Sequence, residues 1–501
     1  MDILSDLWLG AQTAFSVWNL LYCLLGVFLG TAIGVLPGLG PTATIAMLLP
    51  VTFGLPPETA LIMLAGIFYG AQYGGSTTAI LVNLPGESSS VVTALDGYQM
   101  ARNGQAGTAL ATAAIGSFAA GTVATVLIAF FAPALSAVAL TFGPHEYFSL
   151  MVLGLVASIV LASGSLLHAV GMVLFGLILG LIGTDINSGE MRFTFGRFEL
   201  ADGISFVIVA MGVFGLGEIL SNLENEQGRS VTLSKVTGLM PTRADLKRMV
   251  APVTRGTLIG SVLGILPGGG AMLASFAAYA LEKKSSKTPE RFGKGAIEGV
   301  AAPEAANNAG AQTSFIPMLT LGIPSNPVMA LMIGALIMQG IQPGPSVIEE
   351  QPVLFWGLIV SMWVGNLMLL VLNLPLIGLW VKMISIPYGF LFPAIVAFCA
   401  IGVYSLNNAT FDIWLMAGFG FAGYLLRKLD CEPAPLLLGF VLGPMLEEHL
   451  RRSMLVSRGD ATTFFTRPIS AILLLLAVLL IVSILAPAVR QKREEAFTDE
   501  D

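Results

Sequence analysis

The sequence predicts an all-α polytopic membrane protein of about 10–12 transmembrane segments, built from two inverted repeats whose helices break at Pro-Gly motifs. Three observations carry this. The chain is 55% hydrophobic and only 11% charged, where a soluble domain carries about 25% charge. Apolar runs at 20–36, 106–131, 149–182, 354–376 and 469–485 are each long enough to enter or cross a bilayer. The third is an internal duplication. GVFLGTAIGVLPGLG at 26–40 returns as GTLIGSVLGILPGGG at 256–270, with Gly26, Gly30 and Gly34 matching Gly256, Gly260 and Gly264.

Each copy reads as an apolar helix with one face of small residues that stops at Pro37-Gly38 or Pro267-Gly268 inside hydrophobic sequence. The glycines predict close helix packing first and a ligand contact only second. The breaks predict re-entrant hairpins at about 14–54 and 252–281. The plainer alternative is an ordinary loop at the membrane surface, and duplication in both halves weighs against it.

A second signature follows each hairpin. In the first half it spans 69–90 and contains YGAQYGGSTT, then Asn83-Leu-Pro85-Gly-Glu87-Ser88-Ser89-Ser90. In the second half it spans 303–327 and contains Asn307-Asn308-Ala-Gly-Ala-Gln312, then Leu321-Gly-Ile-Pro324-Ser325-Asn326. The sequence aligns Gly70-Ala71-Gln72 with Gly310-Ala311-Gln312 and Pro85 with Pro324. Polar side chains again precede a proline break.

The expected organisation is a first repeat over 1–220, a cytoplasmic linker over 221–250, a second repeat over 251–487 and a cytoplasmic tail over 488–501. The first basic residue is Arg102, and the other clusters fall at 229–248, 283–294 and 490–493. The positive-inside rule makes these clusters cytoplasmic, so the two hairpins enter from opposite sides. The same walk puts Arg451, Arg452 and Arg458 outside, against the rule. A short re-entrant segment at 435–446 is the alternative there. The N-terminal stretch has Asp2 and Asp6 and no basic residue, which predicts no cleaved signal peptide.

The breaks are where chemistry is expected. A helix ending inside the membrane leaves unpaired N–H or C=O groups. Its N-terminus attracts an anion, while C-terminal carbonyls with Asn, Ser and Thr oxygens suit a small hard cation. The candidates for substrate contact are Gly38, Gly40, Thr42, Thr44, Ser88, Ser89, Gly268, Gly269, Gly270, Ser325 and Asn326. The candidates for cation binding, sodium among them, are Ser76, Thr77, Asn83, Asn307 and Asn308. For Thr77 a bond to its own helix backbone is the competing expectation. Pro37, Pro85, Pro267 and Pro324 are the structural breaks. Glu87, Asp96, Glu298 and Glu304 are either proton carriers or loop residues. His145, His168 and His449 read as satisfied or interfacial, and Cys23, Cys399 and Cys431 as small packing residues.

Lys294 is followed by Gly295, so no Walker A motif forms, and Glu447-Glu448-His449 lacks the second His of a metalloprotease motif. No face reads as a nucleic-acid surface. The function classes in play are a secondary transporter, an anion channel or pore, and a membrane-embedded enzyme. Duplicated broken helices favour the first.

GVLPGLGPTATIAMLLP at 34–50, YGAQYGGSTTAILVNLPGE at 69–87 and PEAANNAGAQTSFIPMLTLGIP at 303–324 resemble the large membrane subunit, TctA, of the tripartite tricarboxylate transporters, over about 15–485. The resemblance implies a permease in a bacterial inner membrane that works with a small four-helix membrane subunit (TctB-like) and a periplasmic solute-binding protein (TctC-like). It implies uptake of di- or tricarboxylates or related organic acids, driven by a sodium or proton gradient, with no other cofactor. It also suggests that the hairpins and second signatures move as one core, elevator-like, against the remaining helices.

Overall fold

The computed structural model describes residues 3–36, 39–162, 165–185, 187–224, 236, 238–266, 270–384 and 388–485; of 161, 388–391, 484 and 485 it describes the backbone alone. Pro37, Gly38, Pro267, Gly268 and Gly269, the linker core and the tail lie outside the described residues.

The chain is helical almost throughout. It runs α1 (Ile3–Ala14), α2 (Val17–Gly34), α3 (Pro41–Leu48), α4 (Pro57–Val82), α5 (Val91–Met100), α6 (Ala106–Ala139), α7 (Pro144–Leu161) and α8 (Leu166–Gly180). A two-stranded antiparallel ribbon follows, β1 (Gly183–Thr184) against β2 (Met191–Arg192). Then come α9 (Phe206–Ala210), a π turn at Met211–Leu216 and α10 (Gly217–Glu224). The second half runs α11 (Arg243–Leu263), α12 (Gly270–Ser285), α13 (Glu298–Thr313), α14 (Phe315–Leu321), α15 (Pro327–Met338), α16 (Val347–Glu350) and α17 (Pro352–Asn373). It ends with α18 (Ile377–Ile384), α19 (Tyr388–Asn407), α20 (Thr410–Lys428), α21 (Pro433–Val456), α22 (Thr463–Thr466) and α23 (Pro468–Leu485). Many of these helices open on proline, whose missing N–H falls where the first turn has no acceptor anyway. Ser16 caps α2 and Thr242 caps α11, the latter in a reciprocal capping box with Asp245.

Four segments are long and apolar enough to cross a membrane by length and composition: Val17–Gly34, Ser88–Ala139, Phe206–Glu224 and Pro352–Asn373. Shorter apolar helices accompany them, among them Pro144–Val160, Leu166–Gly180 and Pro468–Ser483. The outer faces are apolar. Ile472, Leu475, Val478, Leu479 and Val482 stand exposed along α23, and Trp18, Leu21 and Leu25 along α2. A surface so rich in contiguous hydrocarbon suits lipid rather than water.

The small-residue faces are packing faces. A Cβ at Gly26, Gly30 or Gly34 would collide with the carbonyls of Met63, Ile67 and Ala71 on α4. In the other half a Cβ at Gly256, Gly260 or Gly264 would collide with the carbonyls of Ala302, Ala306 and Gly310 on α13. Helix backbones touch at these points, as small-xxx-small faces permit. Thus α2 lies on α4 and α11 on α13, in the same register.

The halves interlock. The long helix of the first half, α6, packs on α13, while α17 of the second packs on α4 and α1. The same exchange recurs at the breaks, where α3 meets α15 and α12 meets the Ser88–Ser90 turn. Beside this core, α7, α8, α21 and α23 form a second bundle, with Gly176 and Gly439 again at backbone distance of their neighbours.

Two sequence readings change. Residues 435–446 are not a short re-entrant segment but part of the continuous 24-residue α21. Its terminal arginines are matched by carboxylates. Arg451 reaches Asp185 at 2.8 Å, Arg192 reaches Glu447 at 2.8 Å, and Arg452 pairs with Glu448. The alignment of the second signatures also moves one position along the helix. The packed glycines equate Ala71, not Gly70, with Gly310.

Candidate functional site

The corrected register makes the two breaks superimposable in detail. Helix α4 ends at Asn83 in the left-handed conformation (φ 57°), and α14 ends at Gly322 in the same conformation (φ 70°). Both caps are followed by Pro85 and Pro324 at one common spacing, then by an extended residue that starts the next helical segment. That residue is Glu87 (φ −151°, ψ 161°) in the first half and Asn326 (φ −157°, ψ 170°) in the second. The loops close alike, with Gly86 N–H donating to Gly75 O at 3.4 Å and Ser325 Oγ to Ser314 O at 3.4 Å.

Polar side chains gather where α4, α5, α6 and α13 meet. Glu304 is buried on α13. It accepts from Ser76 Oγ at 2.8 and 3.0 Å and from Thr93 Oγ1 at 2.5 Å. Ser117 Oγ lies 3.4 Å from the carboxylate and accepts from Asn308 Nδ2 at 2.6 Å. One helical turn on, Asn307 Nδ2 donates to Glu87 Oε1 at 2.9 Å, and Asn307 Oδ1 accepts from Gln72 Nε2 at 3.3 Å. Two carboxylates, three amides and three hydroxyls thus gather into a polar cluster drawn from both halves. Among the described residues no Lys or Arg pairs with Glu87 or Glu304.

The pseudo-equivalent position is apolar. In the common register Ser76 corresponds to Phe315 and Glu304 to Ala65. Phe315 there packs against Phe68 (6.4 Å between ring centroids) and Tyr69 (6.2 Å). The backbone scaffold is duplicated; the charged cluster is built once.

The structure therefore brings Ser76, Asn307 and Asn308 together. It does not bring Asn83 to them, whose side chain is exposed at the end of α4. Thr77 bonds back to Tyr73 O at 2.9 Å and Thr44 to Gly40 O at 2.9 Å, the helical self-satisfaction that competes with a ligand role. Gly40 is the N-cap of α3, and its N–H faces Glu218, which also meets Arg427 at 3.2 Å. Thr42 is partly exposed beside it. Ser88 is exposed and Ser89 buried in the turn after Glu87, while Gly270 opens α12. Ser325 is buried in its loop bond and Asn326 caps α15 through Met329 N–H at 3.0 Å.

Of the acids named as proton carriers, Asp96 and Glu298 have structural partners. Asp96 Oδ1 accepts the N–H groups of Gly293, Gly295 and Ala296 at 2.7–2.9 Å, and Oδ2 accepts from Tyr279 at 3.0 Å. Glu298 forms a two-bond fork with Arg248. His449 stacks on Tyr147, as an interfacial ring would. His145 departs from expectation, being buried with both ring nitrogens unpartnered against Phe464. The three cysteines are free.

Thr93, Ser117, Asn366 and Asn373 were not singled out by sequence. The two asparagines lie in the long apolar helix α17, and that setting was the available signal for them; Thr93 and Ser117 stand among other polar residues of α5 and α6 and gave none. Asn366 is fully buried with neither amide atom bonded. A cleft of 540 Å³ opens at Phe53, Asp202, Met338 and Asp412; with Glu199 also on its wall and no cation, it repels carboxylates.

The fold and this centre define a polytopic helical membrane protein with a polar interior assembled from two broken-helix units. The chain belongs to the tripartite tricarboxylate transporter TctA family, whose model matches residues 20–438. That family indicates a subunit of a tricarboxylate transporter. It is 62% identical, over the whole of both chains, to an uncharacterized 52.8 kDa protein in the TAR-I ttuC' 3'region of Agrobacterium vitis. It is 64% identical over 242 residues to an uncharacterized protein in the TAR-II ttuC' 3'region of the same organism, covering 48% of this chain and all of that one. No solved structure matches it.

Proposed function

We propose that the chain is the permease subunit of a binding-protein-dependent secondary transporter that imports organic acids, di- or tricarboxylates or related carboxylates, across a bacterial inner membrane. A small four-helix membrane subunit and a periplasmic solute-binding protein are its partners, and a sodium or proton gradient drives it. Residues 1–220 and 251–487 act as inverted repeats joined by a cytoplasmic linker, with a cytoplasmic tail from 488. The observation that carries this reading is the pair of matched helix breaks, each packed on an element of the other half, around a buried Glu87–Asn307 and Glu304–Asn308 network.

The chemistry is consistent with a co-transported cation. Neither second signature contains Lys or Arg. A carboxylate substrate would then rest on N–H groups at helix starts, at Gly40, Ser88–Ser89, Gly270 and Ser325–Asn326, with Gly38, Gly268 and Gly269 alongside in sequence. A cation held by Ser76, Asn307 and Asn308 would offset the charge that Glu87 and Glu304 present. The two packed pairs, α2 with α4 and α11 with α13, would move as one body in an elevator-like step against the outer helices.

The test is uptake of labelled citrate and a panel of carboxylates into proteoliposomes holding this chain, the small subunit and the binding protein. Accumulation that needs all three and one imposed gradient is the expected result. Passive flux from this chain alone under every gradient would replace the reading with a channel. Asn307→Ala and Asn308→Ala should weaken ion dependence more than protein abundance.

A further inference from the structure

Next to Glu304 lies a small cavity of 20 Å³ that the network above does not fill. Its wall includes Glu304, Ser76, Thr77, Tyr73 and Asn373, with apolar side chains of α4 and α6 closing the rest. Space of this size holds one water-sized body and no organic acid.

The hydroxyl hydrogens on this wall are already committed, and so is one of the two amide hydrogens of Asn373. Ser76 donates to Glu304 at 2.8 Å, Thr77 to Tyr73 O at 2.9 Å, Tyr73 to Ala114 O at 3.5 Å and Asn373 Nδ2 to Leu369 O at 2.9 Å. What the hydroxyls and the amide oxygen can still offer is lone pairs. Asn373 is buried, 5% exposed, and its Oδ1 has no hydrogen-bond partner at all. A buried carboxylate and an unpartnered amide oxygen on one cavity wall, with no Lys or Arg pairing the carboxylate among the described residues, is an arrangement that suits a cation. A proton on Glu304 would neutralise the carboxylate with a single O–H, whereas a cation in the cavity meets the carboxylate and the amide oxygen together.

We propose that this cavity binds a single sodium ion, coordinated by Glu304, Ser76, Thr77 and Asn373. One carboxylate balances one monovalent charge, and hard oxygen ligands suit sodium. The proposal rests on the transport reading and revises its cation site: it places the cation at Glu304 and Asn373 and leaves Asn83, Asn307 and Asn308 outside the coordination, the last two as part of the surrounding network. The site draws on α4, α13 and the end of α17, so occupancy ties the two halves together.

The experiment is thermal unfolding of the purified full chain in detergent with lipid, titrated with NaCl against KCl and choline chloride at constant ionic strength. The expected result is a saturable rise in midpoint specific to sodium. Asn373→Leu should raise the half-saturating sodium concentration by about tenfold or more, and Glu304→Gln should abolish the sodium-specific rise. Asn373→Asp keeps an oxygen and should keep the response, which covers the case that the leucine variant does not fold. A wild type indifferent to sodium, or an Asn373→Leu protein that responds like wild type, overturns the site. Binding is read here without transport. Loss of the site therefore leaves gradient-driven uptake by wild type standing, whereas sodium binding without any accumulation leaves the site and removes the transport reading.

Discussion

Asp96 is fully buried and is held by backbone rather than by a cation. Its Oδ1 collects three N–H groups from the Gly293–Ala296 turn, two of them on residues whose φ is positive, Gly293 at 80° and Gly295 at 102°. Such a cradle is shaped for an anion, because N–H groups converge where a neutral amide oxygen would be a weaker acceptor. A residue of α5, just past the first half's second signature, thus pins a loop of the second half. Asp96→Asn keeps the shape and loses the charge. Its expected effect is a loss of about 1.5–3 kcal/mol, the range for hydrogen bonds to a charged group. The measurement is unfolding of both proteins in the same detergent, with Glu58→Gln on the surface as a reference. An Asp96→Asn protein as stable as wild type would make the cradle incidental.

At the scale of helices, the glycine faces decide which elements can lie together. Gly260 sits against the Ala306 carbonyl with no room for a Cβ, whereas a Cβ at Gly171 on α8 meets nothing within 4 Å. Gly260→Val should therefore destabilise by about 3 kcal/mol or more, since two backbones must part. Gly171→Ala should be neutral or gain about 0.5–1 kcal/mol, because it replaces an unconstrained helical glycine. Equal effects of the two would separate stability from close packing. This is also the scale at which the sequence was most informative. The stripe of Gly26, Gly30 and Gly34 and its copy were readable, because small residues at helical spacing have one physical use far more often than any other. The helix ends ahead of Pro85 and Pro324 were readable as well, because proline cannot continue a helix. The register between the halves was not. Gly70 and Gly310 look equivalent as letters, but packing equates Ala71 with Gly310, and only the touching backbones show it. Thr93 and Ser117 were hidden too, because their partner Glu304 lies on another helix.

The charged end formed by the ribbon and α21 adds a pH dependence. Hydrogen bonds from Arg451, at 2.8 and 3.1 Å, hold the Asp185 carboxyl well below the usual carboxylate range, helped by the Asn187 N–H. A lowered folded pKa means stability that is complete above the unfolded value of about 4 and fades as the pH falls toward the folded one. Asp185→Asn removes that contribution at every pH. The midpoints of wild type and Asp185→Asn should therefore differ at pH 7 and draw together between about pH 4 and pH 2. A gap that stays constant down that range would mean the Arg451 pair does not titrate with unfolding.

At the scale of the whole molecule the halves are joined by more than a linker. Helix α6 lies on α13, and α17 lies on α4, so each half completes its core with a helix of the other. The polar network follows the same rule: Glu304 comes from the second half, and its donors Ser76, Thr93 and Ser117 come from the first. A second half alone would leave the Glu304 carboxylate without those hydroxyls, which is costly wherever water cannot replace them. Severing the chain between residues 230 and 231 therefore separates two pieces that need each other. Expressed singly, each piece should aggregate or be degraded. Expressed together, they should copurify on a tag carried by one piece and restore uptake in the three-component assay. If either piece alone is monodisperse and unfolds cooperatively, the exchange of α6 and α17 is a consequence of folding and not its requirement. If the pieces copurify with Ser76, Thr93 and Ser117 all replaced by alanine, the packing of α6 on α13 and of α17 on α4 suffices to hold the halves together, and the network is not required for it.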